Sequence, residues 1–100
     1  MEFVNKAKIE SVAQEFYAAR KAEALETMRN EIEQVLAEAL KAAEENGKSF
    51  AYMDRELTIP EFFKDIKGCF EVPEEIREDL WKAGFRVKHN YLQEPTYTLL

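Results

Sequence analysis

Residues 5–46 read NKAKIESVAQEFYAARKAEALETMRNEIEQVLAEALKAAEEN, forty-two positions with no Gly and no Pro, and Gly47 follows directly. Ala, Glu, Lys, Leu, Arg, Met and Gln dominate the stretch, the residues that lose least on entering a helix, so propensity alone predicts one helix from Asn5 to Asn46. At about 1.5 Å per residue such a helix is roughly 60 Å long, about twice the diameter of a compact domain of this size. It must protrude, bend back, or pack against another chain.

Its apolar positions fall into two ladders. Ile9, Val12, Phe16 and Ala19 step by 3-4-3, and Leu25, Met28, Ile32, Val35, Ala39 and Ala42 by 3-4-3-4-3, a heptad seam. Nine residues separate Phe16 from Leu25, which at about 100° per residue sets the second ladder roughly opposite the first. A bend near Ala18 to Ala22 would fold both ladders into one core. A straight rod would leave one face to the C-terminal half and the other to a neighbouring chain. No Gly, Pro or capping residue marks a break, which favours the rod. Leu36, Leu40 and Ala43 widen the later ladder, so self-association is expected on Leu25, Met28, Ile32, Val35, Leu36 and Ala39.

One hundred residues with 46% hydrophobic content make a single domain, 1–100, with a modest core. Fourteen basic against twenty acidic residues give a net charge of −6, which argues against a protein held mainly by nucleic-acid phosphates. The lone Cys69 can form no intramolecular disulfide, so a reducing cytoplasm is the expected compartment. No apolar run approaches the roughly 18 residues of a membrane span, so a soluble chain without membrane contact is expected. Charge is uneven along the helix: Lys6, Lys8, Arg20 and Lys21 outnumber Glu10 and Glu15, whereas Glu23 to Glu45 holds seven acids against Arg29 and Lys41.

After Gly47, a helix-ending residue, Phe50 and Tyr52 alternate with Ala51 and Met53 and predict a short strand over 48–53. Pro60 opens a short helix in which Phe62, Phe63 and Ile66 form a small buried face, ended by Gly68. Pro73-Glu74-Glu75 opens another, with Ile76, Leu80 and Ala83 as its inner stripe, Trp81 beside them and Gly84 as its stop. Phe85, Val87, His89 and Tyr91 alternate with polar residues, Gln93-Glu94-Pro95 turns the chain, and Tyr97 and Leu99 close a hairpin. The fold class is therefore α+β: a long N-terminal helix, then a compact β-α-α-β-β module over 48–100 with a three-stranded antiparallel sheet and one or two short helices. Nine of the twelve aromatics lie in that module, which places the core there.

This element order is also that of a winged helix, with the Pro73 to Ala83 helix in the DNA groove. Glu74, Glu75, Glu78 and Asp79 on that helix would be repelled by phosphates, so DNA is not the expected partner. No spacing supports catalysis, and none implies a metal or cofactor. Cys69 reads as a small buried residue and His89, at an inward-pointing strand position, as a satisfied or edge histidine rather than a ligand. For a nucleotide-like ligand the candidates are Arg20, Lys21, Arg86 and Lys88 with Trp81 as a stacking surface.

Ala42-Ala43-Glu44-Glu45-Asn46-Gly47 before a strand, Leu80-Trp81-Lys82-Ala83-Gly84-Phe85-Arg86-Val87, and the closing Thr96-Tyr97-Thr98-Leu99 resemble a loose group of small bacteriophage accessory proteins. The resemblance implies a product of the host-cell cytoplasm that self-associates and acts, without catalysis, by binding a host or defence factor or a small signalling ligand. A virion or assembly component and a winged-helix regulator are the competing expectations.

Overall fold

The computed structural model describes residues 2–90 and 95–100. Helix α1 runs without interruption over Lys6–Asn46, 41 residues, so the rod rather than the bent arrangement is realised. Asn5 caps its start, the side-chain Oδ1 accepting the Lys8 N–H at 2.8 Å. Gly47 ends it in the left-handed region at φ 67°, where its N–H reaches the Ala42 and Ala43 carbonyls.

The segment predicted as a strand over 48–53 is instead irregular chain with a bend at Ser49, leading into a 3-10 turn at Ala51–Asp54. Tyr52 turns inward and meets Phe85 edge-on at 5.0 Å, so one aromatic contact fixes a turn where alternation suggested a strand. The first strand comes later. It is β1, Leu57–Thr58, and a second 3-10 turn, Glu61–Phe63, replaces the short helix expected after Pro60. Phe63 packs on the core, but Phe62 and Ile66 are exposed, which corrects the buried face assigned to them. Cys69 is also exposed, at the end of a tight turn in which Asp65 Oδ1 accepts the N–H groups of Lys67 and Cys69.

Helix α2 spans Glu74–Lys82, followed by β2, Val87–Asn90, and β3, Thr96–Leu99. Tyr91 and most of the expected turn at 93–95 lie outside the described residues. The sheet is three-stranded and antiparallel, in the order β1-β3-β2, with Leu57 opposite Tyr97 and His89 opposite Tyr97 on its other side.

Met28, Ile32 and Val35 of α1 are buried against Leu57 and Ile59, Val72, Ile76 and Leu80, and Tyr97 and Leu99; Leu25 and Leu36 pack at the margin. The later ladder is thus the helix's contribution to its own core. Of the residues assigned to self-association, Met28, Ile32 and Val35 are thus spent on the chain's own core, Leu25 and Leu36 are half-buried beside it, and Ala39 lies half-buried outside the cluster. Lys21 pairs with Glu75 at 2.7 Å and Arg29 with Asp79 at 3.2 Å, tying α2 to α1, while Arg55 pairs with Glu38. Surface pairs of this kind contribute little each, so the apolar contact holds the elements together.

Candidate functional site

Everything described before Ala24 is exposed. The first turns of α1 therefore leave the compact head as a free arm, and the molecule measures 72 × 27 × 18 Å. Along the arm run Phe3 and Val4, then Ile9, Val12, Phe16 and Tyr17, each more than half exposed. A shallow hollow of about 540 Å³ follows Val4, Ile9, Val12, Ala13, Phe16 and Tyr17. Monomeric proteins seldom leave a contiguous apolar stripe unpartnered without a use for it.

The arm's rim carries charges of both signs. Lys6 lies 3.8 Å from Glu10 and Arg20 3.6 Å from Glu23, and the Arg20 guanidinium sits over the Phe16 ring at 5.3 Å. Glu75 is held below the ordinary carboxylate range, first by the hydrogen bond from Lys21.

A second feature lies on the head. Arg86 stacks over Trp81 at 5.5 Å and donates to the Phe85 carbonyl at 3.0 Å. Both border a recess of about 410 Å³ with Glu71, Arg77, Phe85, Val87 and His89. Arg77 stands one helical turn before Trp81, and its guanidinium is 3.9 Å from Glu71. His89 Nε2 accepts the Val72 N–H at 3.0 Å, which leaves the proton of the neutral ring on Nδ1.

Of the five ligand candidates, the structure brings together only Trp81 and Arg86. Lys21 is engaged by Glu75, on the side of α2 that faces α1, and Arg20 belongs to the arm. Lys88 alternates with Val87 and His89 along β2 and so points to the other face of the sheet from the recess. Arg77 and Glu71 were missed, though the i, i+4 spacing of Arg77 and Trp81 on a predicted helix was a readable signal.

No protein-family model, curated protein or solved structure matches the chain. Among the described residues, no three of His, Cys, Asp and Glu are grouped so as to hold a metal ion, and no helix is long and apolar enough to cross a membrane.

Proposed function

We propose that this chain is a non-enzymatic binding protein that docks other proteins through its N-terminal arm, with the head as the body that holds the arm out. The observation that carries the reading is the exposure of Ile9, Val12 and Phe16 at heptad spacing on a helix whose other ladder is already buried at home. Helices laid in apolar grooves are recognised through anchors at this spacing. The resemblance to phage accessory proteins supports a host or defence factor as the target, in the host-cell cytoplasm. Affinity capture from infected-cell lysate, then binding of the purified captured protein, tests it. Phe16→Asp is expected to weaken that binding tenfold or more with the helix content unchanged; equal binding by both forms would move the docking surface off the arm.

A second reading, capture of a small anionic ligand with a planar ring, is favoured by one observation: Arg77, Arg86 and Trp81 converge on one recess. Guanidinium groups suit phosphate and carboxylate, and an indole face suits a base. Trp81 is the only tryptophan, so its fluorescence reports this recess directly. Adenosine monophosphate and cyclic dinucleotides are expected to quench it with saturation, and Arg86→Ala to abolish the effect; no change at millimolar ligand excludes these nucleotides.

The remaining readings have less support. Glu74, Glu75, Glu78 and Asp79 make α2 an acidic helix, unsuited to a DNA groove. A virion role would be promoted by finding the chain in purified particles.

A further inference from the structure

We infer that the first occupant of the arm is a second copy of this chain, zipped to it in parallel from Ile9 to Ala19. The inference rests on the reading of the arm as a docking surface and names its partner. With Ile9 and Phe16 in the first core position of the heptad, Val12 and Ala19 take the other, and a parallel pair stacks each residue on its own counterpart in four apolar layers.

The flanking charges then choose the orientation. Glu15 lies just before Phe16, and Arg20 just after Ala19, so a parallel pair sets Glu15 of each copy beside Arg20 of the other, twice by symmetry. An antiparallel pair keeping all four layers sets Val12 against Phe16 and Ile9 against Ala19. It brings Glu15 to Glu15 across the axis and Lys6 to Arg20, so that wherever two charged flanking residues meet they carry the same sign.

The seam also stops where it should. The next core position is Glu23, which would face its own copy, and Ala24 is the first buried residue of α1. So the zipper covers the segment the head leaves free. The earlier ladder sits on the side of the helix opposite the head-covered one, so two heads point outward from the paired arms. Residues 2–22 hold four cations and three anions, whereas the remainder holds ten and seventeen. Arms attract or tolerate one another while heads repel, and the copies part beyond Ala19.

The area sets the strength. A two-helix contact over so few turns falls below the roughly 1,200 Å² of total burial that separates small transient interfaces from stable ones, so association in the micromolar range is expected.

Sedimentation equilibrium of the full chain from micromolar to several hundred micromolar is expected to show a mass rising from 11.7 kDa toward twice that. Phe16→Asp should weaken the association at least tenfold. In a Cys69→Ser background, Ala19→Cys should cross-link to itself under oxidation, because parallel copies hold the two positions side by side. A cross-link formed only when Ala19→Cys is mixed with Ile9→Cys would overturn the parallel arrangement. A one-chain mass throughout the range would overturn the second copy as occupant, leaving the arm's docking of other proteins to be decided by the capture experiment. A dimer indifferent to Phe16→Asp would place the association away from the arm and would likewise overturn the second copy as its occupant.

Discussion

Tyr97 is shut off from solvent at the centre of the sheet, and its hydroxyl meets no hydrogen-bond partner among the described residues. A buried hydroxyl without a partner contributes nothing beyond its ring and carries a desolvation cost, so Tyr97→Phe is expected to leave stability unchanged or raise it by up to about 1 kcal/mol in urea unfolding. Burial, and then the nearby Glu31 carboxylate, push the phenol pKa well above its ordinary value. The sign follows: a raised folded pKa gives stability that is intact below about pH 10, the unfolded value, and lost as pH climbs above it. Between pH 10 and 12 the wild type should therefore lose up to about 1.4 kcal/mol per pH unit more than Tyr97→Phe. Parallel curves for the two would show that the hydroxyl is hydrated in the fold. Glu75 runs the other way. Its carboxyl is depressed by Lys21, so what the pair contributes is present above the ordinary carboxylate pKa and lost as pH falls through the folded value. Lys21→Ala should raise the Glu75 pKa toward the ordinary range in a carboxyl NMR titration, with little effect on stability because both groups face water.

Within α1 the two ladders should respond to mutation in opposite ways. Ile32→Ala opens a void in the core that α1 shares with the sheet and α2 and is expected to cost about 2–4 kcal/mol, whereas Ile9→Ala, on the arm, should stay within about 0.5 kcal/mol in dilute solution. Equal losses would mean that the arm folds back onto the head. At the helix end, Gly47 has open space around the position of a Cβ but φ 67°, so Gly47→Ala should cost about 1 kcal/mol through the backbone alone. These boundaries were legible: Asn5 and Gly47 carry the capping chemistry, Pro73-Glu74-Glu75 and Gly84 bracket α2, and Val87 to Asn90 alternates. The two-residue β1 was not, because a period needs more than Leu57 and Thr58 to show itself. The 3-10 turn at Ala51–Asp54 was mistaken for a strand because Phe50 and Tyr52 alternate by chance of local order, while the Tyr52 to Phe85 contact that decides it spans more than thirty residues.

Across the whole molecule, the sequence disclosed a helix with two apolar faces but not which face goes to which partner. Both ladders carry the same heptad grammar, and the choice was made by the fit of Met28, Ile32 and Val35 to a sheet whose shape no local pattern describes. The same distance effect split the ligand candidates: Trp81 and Arg86 are neighbours through one helix-to-strand step, while Lys21 was claimed by an acid fifty-four positions on. Stability should be as uneven as the packing. Amides of the head's central strand are expected to exchange only on global unfolding, and those between Glu10 and Ala19 far faster in dilute solution, where the arm's helix has no tertiary support. Slowing of that exchange with rising protein concentration would report arm pairing directly.

Because α1 crosses from arm to head without a joint, the distance from Lys6 to Ala24 is fixed at about 27 Å by the rise of the helix. Whatever grips the tip is kept at that stand-off from the acidic body, and inserting or removing one residue in the span would rotate the grip by about 100° as well as shift it. The rod is a ruler with a bearing engraved on it.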